Sequence, residues 1–93
     1  MDTKQTVMDI AMNLNRIGNW IADGYEPNKK KVEVFTKNTD DYISTIQNLS
    51  QPFEKTWSEF MRVYPLFKKN IKKNAENLMT WGNILTHRSK LIR

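Results

Sequence analysis

No cysteine occurs in this chain, so disulfides, thiolate metal sites and thiol nucleophiles are excluded, and nothing marks an oxidising compartment. Histidine is nearly as scarce: His87 is the only one, in Thr86-His87-Arg88 with no carboxylate within four residues. A general base is ordinarily oriented by such a partner, so His87 reads as a surface or interface residue. The Glu-x-x-His pairs by which helical bundles hold metals are missing as well. No metal, cofactor or catalytic residue is expected. The three glycines, Gly18, Gly24 and Gly82, are isolated, and none opens a phosphate-binding loop. No apolar run approaches the ~20 residues of a transmembrane segment. The polar stretch Met1 to Thr6 does not resemble a signal peptide. The expectation is a cytoplasmic protein with a single helical domain over residues 1–93.

What is present is core-forming material and lysine. Hydrophobic residues make up 39% of the 93 and aromatics 11%, above what a disordered chain carries. The net charge of +5 is unevenly placed: residues 50–93 hold nine Lys or Arg against three acids, while residues 1–49 hold six against seven. A one-sided positive field attracts nucleic acid, anionic lipid or acidic protein, and it also serves as a plain solvated surface.

Apolar residues recur at steps of three and four, and no strand-like alternation persists, which predicts an all-α chain. Val7, Ile10, Leu14, Ile17 and Ile21 form one narrow stripe on a helix over about 3–22. Asp2 or Thr3 caps its start, and Gly24 stops it before a turn at Pro27. Asn28 is the expected cap of a second helix over about 28–49, with the stripe Val32, Phe35, Thr39, Tyr42, Ile46 and Leu49. The short connection makes the pair an antiparallel αα-hairpin.

From Pro52 onward a third stripe runs Phe53, Trp57, Phe60, Tyr64, Phe67, Ile71, Asn74, Leu78, Trp81 and Leu85 in continuous heptad phase. Pro65 and the polar run Asn70 to Asn74 argue for two helices, about 52–70 and 74–91. The unbroken phase argues for one long helix bent near Pro65. Either way the product is a small antiparallel helical bundle.

Gly18 and Gly82 fall inside helices, where glycine costs ~1 kcal/mol relative to alanine. Close helix packing beneath Trp20 or Trp81 is the expected compensation; a shallow ligand groove is the rival. Met8, Met12, Met61 and Met79 lie off the stripes and Trp20 sits beside one. Flexible or aromatic apolar groups at such borders anchor protein interfaces. The candidate partner interface is Met12, Trp20, Met61, Met79, Trp81, Ile84, His87 and Arg88. The polar seam residues Thr39, Asn74 and Arg88 would fix register in an assembly, or sit at open bundle ends.

Arg62, Lys68, Lys69, Lys72, Lys73 and Arg88 make a candidate anion or nucleic-acid face, extended by Lys55, Lys90 and Arg93. Lysine outnumbers arginine here, which favours phosphate neutralisation over base reading. Lys29-Lys30-Lys31 sits unfavourably near the positive end of its helix, with Glu26 and Glu33 placed to balance it. The leading functional expectation is a non-enzymatic interaction or assembly module that binds a protein partner and forms a homodimer. Non-specific nucleic-acid binding through the basic half is second. An enzyme or small-ligand site around His87 and Tyr64 is a distant third.

Overall fold

Val7, Ile10, Leu14, Ile17 and Ile21 are all buried along one side of a helix spanning Thr3–Asp23, α1. The computed structural model describes residues 2–92; Met1 and Arg93 lie outside them. It shows three further α-helices, α2 (Tyr25–Ser44), α3 (Gln51–Lys69) and α4 (Ala75–Arg88), with 3-10 turns at Ile71–Lys73 and Ser89–Leu91. Together they form an antiparallel all-α bundle with extents of 39 × 21 × 19 Å.

The first connection is tighter than the sequence suggests. Gly24 alone links α1 to α2, at φ +139°, a conformation that side chains resist. Pro27 falls inside the first turn of α2, where its missing N–H has no helical partner to lose. Asn28 is therefore not the cap of α2. Its side-chain amide donates to the carbonyls of Trp20 and Gly24, both at 3.0 Å, and so ties the end of α1 to the start of α2. Asn28→Ala leaves both carbonyls short of a donor and is expected to cost about 1 kcal/mol. A lowered urea midpoint at unchanged slope is the readout.

The second helix also stops earlier than its apolar stripe, at Ser44 rather than near 49. The hydroxyls of Ser44 and Thr45 donate to the carbonyls of Asp41 (2.6 Å) and Tyr42 (2.7 Å), and Asn48 at φ +57° turns the chain. Such side chains compete with the helix for its own backbone. Ile46 and Leu49 still pack on the core, from the loop.

Beyond Pro52 the chain forms two helices, not one. Pro65 does not end α3, which continues to Lys69 because Tyr64 and Phe67 hold both sides of the proline against the core. The break comes at Asn70 to Asn74. Asn74 there donates to the Asn70 carbonyl at 2.9 Å and accepts from Asn77 at 2.8 Å, so it locks a turn.

Residue size sets the spacing of the helices. Ala11 and Gly18 on α1 face Ala75 and Gly82 on α4, and these two helices approach most closely. A Cβ on Gly82 would lie 2.8 Å from the Ala11 carbonyl, and one on Gly18 2.8 Å from that of Ala75. The expected close packing is present, but its partner is the opposite helix, not Trp20 or Trp81. On α3 the core residues are instead Phe53, Trp57, Phe60 and Tyr64, whose bulk fills the wider gap between α3 and the rest.

Candidate interaction surfaces

The residues expected to form one partner interface are spread around the bundle. Trp20 packs edge-on to Phe35 at 4.9 Å and carries the Lys31 ammonium 5.6 Å above its ring, so it joins α1 to α2. Trp81 lies 5.7 Å from Phe60, inside the α3–α4 contact. Met79 fills the space above Gly18. Ile84 and Arg88 line a depression of about 380 Å³ with Pro52 and Thr56, where Arg88 donates to the Thr56 hydroxyl at 3.3 Å. Met61 is exposed beside the gap between α2 and α3. Only Met12, at the outer surface of α1, and His87, on that of α4, share one side of the molecule with Met79.

That side differs from the others in composition. On α1 the steps Met8, Met12, Asn15 and Asn19 follow one face, and on α4 so do Glu76, Thr80, Asn83 and His87. The Asn15 amide reaches the Asn83 side-chain oxygen at 3.5 Å, which joins the two rows into one surface. Between Asn77 and His87, α4 carries no formally charged residue. Asp9 and Arg16 border Met12 on α1, seven positions apart and so on one face. Arg16 lays its guanidinium 3.1 Å from the Met12 sulfur. By contrast α2 and α3 expose Lys29, Lys30, Glu33, Lys37 and Asp41, and Lys55, Glu59, Arg62 and Lys69.

The six residues of the proposed basic face do not act as one either. Arg62 engages both carboxylate oxygens of Glu59, and this hydrogen bonding holds the Glu59 carboxyl below its usual range. Lys68 pairs with Asp40 at 3.1 Å across the α2–α3 gap, 4.9 Å above the Tyr64 ring. Lys72 pairs with Glu26 at 3.5 Å and covers the Tyr25 ring at 4.8 Å. Glu26 is thus held by Lys72 rather than by its neighbours in sequence. Arg88 lies at the opposite end of the bundle from Lys68, Lys69, Lys72 and Lys73. These four are joined instead by Lys29, Lys30 and Lys31, at the start of α2, a grouping that no reading along the chain reveals.

Among the described residues, the buried hydroxyls of Thr36 and Tyr64 have no hydrogen-bond partner, and both residues line the gap between α2 and α3. Burial raises the Tyr64 phenol well above its usual pKa, and the nearby Asp40 carboxylate adds to the effect. A depression of about 510 Å³ lies between the start of α1 and the end of α2 and is lined by Thr3, Thr6, Asn38, Asp41 and Tyr42. His87 borders an open one of about 310 Å³ beside Arg88, Lys90 and Leu91. It does not share this depression with Tyr64. Among the described residues no three His, Asp or Glu side chains converge to hold a metal, and no helix is long and apolar enough to cross a membrane. No protein-family model, curated protein or solved structure matches this chain.

Proposed function

We propose that this protein is a non-enzymatic assembly module that pairs with a second copy of itself through the outer face of α1 and α4. The observation that carries the reading is the poverty of charge on that face, with Met8 and Met12 exposed by 37% and 47% at its centre. Charge depletion and methionine enrichment mark the middle of protein interfaces. Its size suits a small interface: α1, about 31 Å long, and α4, about 21 Å, each about 10 Å wide, present about 500 Å², towards the low end of the roughly 800 Å² each partner contributes to a stable complex.

The choice of a second copy rests on self-complementarity. When two α1 helices meet antiparallel about Met12, Asp9 of one copy stands beside Arg16 of the other, and the reverse contact follows by symmetry. Asn15, Asn19 and Asn83 supply amides that both donate and accept, so they pair with their own kind. We place the module in the cytoplasm, where a chain without cysteines forgoes nothing.

Light scattering at micromolar concentration is expected to give twice the 11.0 kDa chain mass. Met12→Glu should return the protein to a monomer with its helical circular dichroism intact. Arg16→Asp should weaken the dimer, and the double change Asp9→Arg with Arg16→Asp should restore it. A wild-type protein that stays monomeric, or a Met12→Glu variant that still dimerises, would overturn the assignment.

A further inference from the structure

We infer that the end of the bundle formed by the α1–α2 and α3–α4 connections is a docking surface for the phosphate backbone of duplex nucleic acid. Two lysine runs far apart in the chain meet there. The contact of Lys72 with Glu26 and Tyr25 sets the 3-10 turn at Ile71–Lys73 beside the start of α2. Lys29, Lys30 and Lys31 are thereby brought to the same end as Lys68, Lys69, Lys72 and Lys73. Residues 20–31 and 68–76 hold seven lysines and no arginine against Asp23, Glu26 and Glu76; with Asp40, which pairs with Lys68, the group carries a net +3 of the chain's +5.

This concentration works against the fold. All seven lysines are exposed, and five of them, Lys29, Lys30, Lys31, Lys69 and Lys73, have no ion-pair partner among the described residues. The Lys29 to Lys31 run also follows directly on the positive end of α2. Mutual repulsion at one pole is relieved when the ammonium groups meet a polyanion and release its condensed counterions.

The side chains present select among polyanions. Lysine neutralises phosphate as a mobile point charge and lacks the planar fork that reads bases, so binding is blind to sequence. Trp20 and Tyr25 are covered by Lys31 and Lys72, which withholds the stacking platforms a single strand requires. Of the apolar side chains near this pole, Trp20, Tyr25 and Ile71 are half-buried and Leu66 alone is largely exposed, at 55%, and one exposed leucine is too small an apolar face to anchor the pole in a lipid surface. A duplex, with its regular and dense rows of phosphates, is the polyanion that fits.

Fluorescence anisotropy with a labelled mixed-sequence duplex of about 20 base pairs is the test, with micromolar binding expected at ~50 mM salt. With five phosphates engaged, the slope of log K against log salt is about −4.5, so raising salt fourfold should weaken binding several hundred-fold. The triple change Lys29→Glu, Lys30→Glu, Lys31→Glu and the pair Lys69→Glu, Lys73→Glu should each weaken it by about tenfold or more. The control pair Lys55→Glu, Lys90→Glu, at the opposite pole, should change it by about threefold or less, given the screening over that distance. Circular dichroism verifies that each variant is folded, and Lys→Gln versions replace any that is not. Absence of duplex binding by the native chain would overturn the inference. So would equal losses in the control pair, or tighter binding to phosphatidylserine vesicles, single strands or polyglutamate than to duplex.

Discussion

Phe60→Ala is expected to remove about 3–5 kcal/mol of folding stability, a large part of the 5–15 kcal/mol that a domain usually has. Phe60 has no exposed surface and stands at the centre of the aromatic layer, 5.0 Å from the Tyr64 ring, 5.3 Å from Trp57 and 5.7 Å from Trp81. Truncation removes its transfer free energy and also leaves a cavity. The neighbouring rings are held by their own helices and cannot all collapse into it. Urea denaturation reads the loss directly, as a lower midpoint at similar slope. Met61→Ala, at the exposed neighbouring position, is the contrast and should shift stability by about 0.5 kcal/mol or less. Equal effects at 60 and 61 would mean that the aromatic layer is not what joins α3 to the bundle.

Gly82→Ala should destabilise as well, although alanine is the better helix former by about 1 kcal/mol. The new Cβ would stand 2.6 Å from the Asn15 amide nitrogen and 2.8 Å from the Ala11 carbonyl oxygen. Asn15 can swing away, but a backbone carbonyl inside α1 cannot, so the two helices must part. Overpacking of this kind costs about 1–3 kcal/mol, enough to reverse the propensity gain. For a chain of this length each kcal/mol lowers the melting temperature by about 4–8 °C. Gly82→Leu should abolish the cooperative transition. A melting temperature raised by Gly82→Ala would show that α1 and α4 do not approach as described.

Much of the architecture is local in origin and therefore legible along the chain. The three-and-four spacing of Val7 to Ile21 and of Phe53 to Phe67 defines which faces are buried, since only a helix brings those residues to one side. Gly24 and the Asn70 to Asn74 run mark ends because backbone conformation there depends on the residue itself. Boundaries slipped where side chains act on distant or competing backbone groups. Asn28 looks like a helix cap in sequence and serves the preceding helix in space. Ser44 and Thr45 stop a helix whose apolar pattern runs on to Leu49.

The candidate surfaces were less legible. Met12 reads correctly as exposed, but Trp20, Met79 and Trp81 have the same off-stripe or bordering pattern and are taken up by Phe35, Gly18 and Phe60. Whether a border residue meets solvent or a neighbouring helix depends on where that neighbour lies. The same holds for charge. The Arg62–Glu59 pair is legible as an i,i+3 spacing, but Lys68 and Lys72 look free in sequence and are paired in space, and Lys29 to Lys31 come to the same end of the bundle as a lysine run about forty residues away.

The amino-acid sequence by itself determined that this protein is helical and which side of each helix is apolar, because these follow from spacing within a few turns. Tertiary structure alone decided which helices touch, which face is left poor in charge and where the lysines gather. Those outcomes depend on side-chain volume across the interfaces: glycine and alanine draw α1 onto α4, and a layer of rings keeps α3 apart.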